Sequence, residues 1–164
     1  MGLGSDPEPS SAKQRRTPMT ESNIPGPSGG RILIIEDDEE LGRLLRGHLE
    51  RAGHEVHFIN RAKPALTFAA ENRMDVVVLD IMLPDMNGYD VCVELRRLYH
   101  PWILPIVILS ALNLPKQKHM GFSRGAEAYL TKPVQAVDFV GTVAVMLHRA
   151  RERGAAPSQA RPTR

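Results

Sequence analysis

This 164-residue chain contains a single cysteine, Cys92, so no internal disulfide can staple it. That economy fits a reducing cytoplasm, and the place of Cys92 in an amphipathic helical pattern makes it a small buried hydrophobe. No apolar stretch approaches the roughly 20 residues that a membrane-spanning helix needs, and the N-terminus lacks the apolar core of a secretory signal. Aromatic residues make up only 5%, and no basic stripe interleaved with them marks a nucleic-acid surface. A phosphate-cradling glycine-rich loop is also missing after the first strand-like segment, where acidic residues stand instead. What is left is a chain of one ordinary domain's length, 42% hydrophobic and 24% charged, with no sign of direct nucleic-acid or membrane binding.

The formal net charge of +2 is an average over unlike parts. Residues 1–30 carry three charges of each sign, and residues 149–164 carry five Arg against one Glu. The intervening stretch holds 13 basic and 15 acidic side chains and is mildly acidic. Five Pro, five Gly and five Ser make up half of residues 1–30, a composition too poor in apolar surface to order itself. A disordered arm over 1–30, a folded domain over 31–150 and a flexible basic tail over 151–164 are therefore expected.

Inside the folded stretch apolar runs alternate with helical patterns. Strands are predicted at Arg31–Ile35, His54–Ile59, Asp75–Leu79, Leu104–Leu109 and Ala128–Leu130. Helices are predicted at Glu39–Ala52, from Pro64 to about Asn72, and at Tyr89–Leu98, Pro115–Ser123 and Gln135–Arg151. The first helix places Leu41, Leu44, Leu45 and Leu49 on one face, with Gly53 as its stop. In the last, Val137, Val140, Ala144 and Leu147 form one stripe, and Phe139, Val143 and Met146 an adjacent one. Together the stripes cover about half the circumference, more than the ~100° usual for a surface helix. Either this helix is deeply seated, or its outer stripe, centred on Phe139 and Val143, docks a partner or a second copy together with the preceding helix. Five β/α repeats in succession predict a doubly wound α/β fold, with a five-stranded parallel sheet and helices on both faces.

Asp80 is the residue that calls for chemistry. It closes Asp75-Val76-Val77-Val78-Leu79-Asp80, a run wholly apolar between its acidic ends, as in a strand buried on both faces. Alone it could cap a helix or solvate a loop. Other strand ends add Glu36 and Asp37, then Ser110, then Thr131 and Lys132, and in a parallel sheet all of these face one crevice. Asp38, Glu39 and Glu40 are explained by the dipole of the helix they open. Three close carboxylates repel unless a cation intervenes, and hard oxygen ligands with room for water suit Mg²⁺. A metal on two carboxylates beside a third makes a place for a transferring phosphoryl group, with lysine and hydroxyl on its oxygens. The nucleophile would be a carboxylate oxygen, giving an aspartyl phosphate.

These residues carry a resemblance. Ile32-Leu33-Ile34-Ile35-Glu36-Asp37-Asp38, Asp80-Ile81-Met82-Leu83-Pro84 with Gly88, Ser110-Ala111, and Tyr129-Leu130-Thr131-Lys132-Pro133 resemble the receiver domain of two-component response regulators. The resemblance implies a flavodoxin-like (βα)5 sandwich with Asp80 as phosphoacceptor. Glu36, Asp37, Asp80 and the Met82 backbone carbonyl would hold Mg²⁺. Ser110 would be the switch hydroxyl, Lys132 its ionic partner and Tyr129 the aromatic that turns inward. The phosphodonor would be a phosphohistidine on a sensor histidine kinase or a histidine phosphotransfer protein. Output would pass to a downstream protein target or a self-dimer through the last two helices, and the domain would turn over no separate substrate. Glu36 replaces the family's commoner Asp, and Val134 stands where Phe often follows Lys-Pro. Met82 and Leu112 occupy positions that govern water access to the phosphoryl group; neither can orient a water well, so slow spontaneous dephosphorylation is expected. The chain has no room for an effector domain after its last helix, so a stand-alone receiver or a piece of something longer is expected. An interaction module with the same fold that works without phosphorylation is the alternative, and the intact acidic set argues against it.

Overall fold

A computed structural model gives the architecture and describes residues 29–99 and 104–155. The strands are β1 (Arg31–Ile35), β2 (Glu55–Ile59), β3 (Val76–Leu79), β4 (Ile106–Ser110) and β5 (Ala128–Thr131). The helices are α1 (Glu39–Arg51), α2 (Ala62–Glu71), α3 (Gly88–Leu98), α4 (Pro115–Ser123) and α5 (Ala136–Ala155). All pairings are parallel, in the order β2-β1-β3-β4-β5. Strand order reverses at β1, so the crevice outside the carboxyl ends of β1 and β3 is the natural ligand site of such a sheet. The continuous apolar runs of the sequence are the central strands β1, β3 and β4, whose side chains meet helices on both faces.

Alternation along each strand divides the core in two. Leu33, Ile35, Val77, Leu79 and Ile108 face α2 and α3 through Ala65, Ala69, Val91, Cys92 and Leu95. Ile32, Ile34, Val78, Val107 and Leu109 face α1 and α5 through Leu45, Leu49, Phe139, Val143 and Met146. Phe139 and Val143 are fully buried, so the expectation that they lie on an outer docking stripe is corrected: they are the seat of α5 on the sheet. A helical period fixes which residues share a face, not which face meets the sheet. Val137 and Val145 are the large apolar residues that α5 exposes, and Leu44 of α1 likewise faces outward rather than joining Leu45 and Leu49. The last helix continues past Arg151 to Ala155, so the start of the expected basic tail is helical. The rest of that tail, and the expected arm up to residue 28, lie outside the described residues.

Among the helices α4 is the least embedded, since Gly121 is its one buried residue. A Cβ at Gly121 would come within 2.7 Å of Ile108 Cδ1 and 3.2 Å of the Tyr129 ring, so glycine lets this helix lie on β4 and β5. Gly125, with φ +100°, turns the chain from α4 toward β5 in a conformation that L side chains rarely adopt.

Candidate functional site

β1 and β3 run directly into Glu36 and Asp80, and β4 and β5 end on Ser110 and Thr131, all at the same rim of the sheet. Backbone bonds set the register: Asp80 N–H donates to Ile35 O at 2.9 Å, and Lys132 N–H to Ser110 O at 2.9 Å. Glu36, Asp80 and Ser110 are the buried polar or charged residues there, whereas Asp37 is exposed. Glu36, Asp37 and Asp80 each offer a carboxylate oxygen within 4.8 Å of the others. That spacing and that all-oxygen donor set fit a hard divalent cation.

Lys132 closes the cluster from the β5 side. Its ammonium lies 2.6 Å from Glu36 Oε2 and 3.2 Å from Asp80 Oδ2. The remaining carboxylate oxygens find backbone donors, with Asp38 N–H on Glu36 Oε1 at 3.1 Å and Met82 N–H on Asp80 Oδ1 at 3.2 Å. Burial, aided by the charge of Asp80, pushes the Glu36 carboxyl up to about 7, against the opposing pull of Lys132 and the Asp38 N–H. Burial would also depress Lys132, but the Glu36 hydrogen bond and the Asp80 charge outweigh it and hold the ammonium above its ordinary value. Two buried carboxylates thus share one cation, an arrangement with room for a second positive charge.

Ser110 is fully buried, its Oγ accepting from Leu112 N–H at 3.3 Å. The Tyr129 hydroxyl donates to Leu112 O at 2.6 Å, tying β5 to the loop after Ser110. Burial and then the neighbouring Tyr89 phenol push the Tyr129 hydroxyl up to about 12. Met82 keeps its side chain in solvent and lines a cleft beside Asp37 together with Leu83, Pro84 and Leu112. Asp38 caps α1 through Leu41 N–H at 3.0 Å, the structural role expected of it.

Asp85 and Tyr89 were not anticipated as site-builders, whereas Gly88 belongs to the Asp80 motif already singled out. Gly88 starts α3 hard against the end of β3: a Cβ would lie 2.5 Å from both Asp80 O and Ile81 Cα. Asp85, in the loop between β3 and α3, caps α2 from a distance, its two oxygens accepting from Ala62 and Lys63 N–H at 2.9 Å each. The cap position of α2 itself, Arg61, supplies no side-chain bond. Those backbone donors hold the Asp85 carboxyl below its usual range. Tyr89 donates its hydroxyl to Gln117 O in α4 at 3.0 Å. No local signal in the sequence names a cap or a hydroxyl partner so far away.

Comparison with known proteins agrees with this geometry. Residues 32–144 match the family model described as response regulator receiver domain. The chain is 34% identical over 125 residues to the transcriptional regulatory protein PcoR of Escherichia coli, covering 76% of this chain and 54% of that protein. The CheY-like receiver domain protein of Methanospirillum hungatei superposes with a TM-score of 0.73 at 25% identity, over 77% of this chain and 100% of that one. The BeF3-activated receiver domain of RstA from Klebsiella pneumoniae does so with a TM-score of 0.66 at 29% identity, over 71% and 97%. The chain spans about half the length of the curated relatives it matches. With its sheet order, its acidic rim and these matches in agreement, the chain belongs to the response-regulator receiver family.

Proposed function

We propose that residues 31–150 form a phosphorylation-controlled signalling switch in which Asp80 accepts a phosphoryl group from a phosphohistidine of a sensor kinase or phosphotransfer protein. The observation that carries this reading is the cluster of Glu36, Asp37 and Asp80 beside Lys132, at the lip of a buried parallel strand. In the transfer an Asp80 oxygen forms the new P–O bond as the donor's P–N bond breaks, and the bonding pair leaves with the imidazole nitrogen. Mg²⁺, held by Glu36, Asp37, Asp80 and the Met82 carbonyl, would neutralise charge on the phosphoryl oxygens. Lys132 contacts those oxygens directly, and the buried Ser110 hydroxyl turns from Leu112 N–H toward them. Tyr129, bonded to Leu112, then follows the loop and carries the change to α4 and β5.

Output would go to a protein target or a second copy through the exposed apolar residues of α4 and α5, Phe122, Val137 and Val145. Among the described residues no helix is long and apolar enough to cross a membrane, and the switch is proposed to work in the cytoplasm. The relatives that are transcriptional regulators are about twice as long as the matched region, so a DNA-directed output would need sequence beyond it. The test is thermal unfolding with Mg²⁺ and beryllofluoride, which mimics an aspartyl phosphate. Wild type should be stabilised only when both are present, and Asp80→Asn not at all. Equal shifts in the two proteins would rule the reading out and favour a module that ignores phosphorylation.

A further inference from the structure

Tyr89 is set rigidly against the phosphoacceptor. It follows Gly88, whose N–H donates to Ile81 O at 2.8 Å and at which an added Cβ would lie 2.5 Å from the Asp80 carbonyl oxygen. Its own N–H is held by Asn87 Oδ1 at 2.8 Å. From that fixed base the side chain crosses to α4 and donates to Gln117 O at 3.0 Å, within the first turn of that helix. The same Gln117 caps α4, its Oε1 accepting from Leu114 N–H at 3.0 Å. Thus a contiguous path runs from the Asp80 backbone through Gly88 and Tyr89 to the start of α4.

That path matters because little else holds α4. Only Gly121 is buried in it, while Leu114 at its cap and Phe122 at its far end stand exposed. A helix with so little apolar purchase depends on polar straps, and two tyrosine hydroxyls supply them. Tyr129 holds Leu112 O in the loop before the helix, and Tyr89 holds Gln117 O inside it. For Ser110 Oγ to reach a group on Asp80 it must leave Leu112 N–H, which frees the 111–117 segment to shift. Tyr129 travels with the loop it holds, so the strap that opposes that movement is Tyr89.

We infer that Tyr89 is a positioning residue that latches α4 in the unphosphorylated arrangement, so that its hydroxyl sets how readily occupancy of Asp80 moves the helix. The inference rests on the phosphoacceptor reading above. Removing the hydroxyl while keeping the ring loosens the latch, and linkage then makes the Asp80 ligand bind more tightly by the same factor. A net hydrogen bond of ordinary strength corresponds to roughly a fivefold shift in such an equilibrium.

The experiment compares the full chain with Tyr89→Phe by amide hydrogen exchange without ligand and by titration with beryllofluoride in Mg²⁺. Tyr89→Phe should speed exchange across residues 115–123 by about fivefold, leave α1 and α2 unchanged, and tighten beryllofluoride binding by about the same factor. Unchanged exchange in α4 would overturn the latch. So would faster exchange spread over every helix with weaker beryllofluoride binding, which is what a merely structural tyrosine gives. If wild type takes up no beryllofluoride the phosphoacceptor reading fails by itself, and exchange in α4 alone decides for or against the strap.

Discussion

Replacing Lys132 by Met keeps the length of the side chain and removes the one ammonium shared by Glu36 and Asp80. At 2.6 and 3.2 Å, and an effective dielectric constant of about 20, each contact represents roughly 5–6 kcal/mol of gross attraction. Most of that is offset by the cost of dehydrating the charges. Taking one partner from a buried pair nevertheless costs about 3–5 kcal/mol, because the charge left behind stays buried. Lys132 keeps 20% of its side chain exposed, which favours the low end, about 3 kcal/mol at pH 8. For a fold of this size that lowers Tm by roughly 10–15 °C. The loss should depend on pH in a defined direction. Glu36 titrates near 7 in the folded chain against 4.5 in its ordinary state, so the stability it lends is full below the lower value and is lost as pH rises through the higher. Without Lys132 its carboxyl rises further, since the lysine hydrogen bond is the main influence pulling it down. At pH 5 Glu36 is therefore protonated in both folded proteins, the Asp80 contact alone is missing, and the deficit is smaller than at pH 8. Urea unfolding at pH 5 and pH 8 measures the difference, and millimolar Mg²⁺ should recover part of the loss at pH 8. An equal loss at both pH values would refute the electrostatic account and leave Lys132 as a packing residue.

Gly88→Ala should cost about 1–3 kcal/mol and slow phosphorylation by a small-molecule donor, because its Cβ would press on the Asp80 carbonyl and Ile81 Cα, both at 2.5 Å. Unchanged Tm and rate would show that the loop yields freely. Gly141→Ala should do the opposite and stabilise by about 0.5–1 kcal/mol, since it lies inside α5 with nothing within 4 Å of the added Cβ; a lower Tm would contradict this. Leu112→Glu places a carboxylate where an apolar side chain now lines the cleft beside Met82, and should shorten the lifetime of the phosphorylated protein several-fold. A half-life equal to that of wild type would mean that Leu112 does not govern the water.

The sheet is legible in the sequence because parallel strands covered on both faces must be unbroken apolar runs, and Ile32 to Ile35, Val76 to Leu79 and Ile106 to Leu109 are such runs. Their polar ends could be read together because one direction of travel puts every carboxyl end at one rim. Helix faces were harder. Leu44 shares a stripe with Leu45 and yet is exposed, and of the two readings open for Phe139 and Val143, a deep seat or an outer docking stripe, the deep seat is the one found. Periodicity gives relative phase, and only the sheet's position makes it absolute. Long-range polar contacts left no trace at all. That Asp85 caps α2, or that Tyr89 reaches Gln117, depends on how two loops approach each other, which no spacing encodes. The sharing of Lys132 between Glu36 and Asp80 likewise needed distances.

Whether Asp80 is the residue phosphorylated can be read by intact-mass measurement followed by peptide mapping. Incubated with Mg²⁺ and acetyl phosphate, the wild-type chain should gain one phosphoryl group that maps to the peptide containing Asp80. The gain should be absent in Asp80→Asn and removed by chelation of the metal before the donor is added. A phosphoryl group on another residue, or the same gain in Asp80→Asn, would contradict the account.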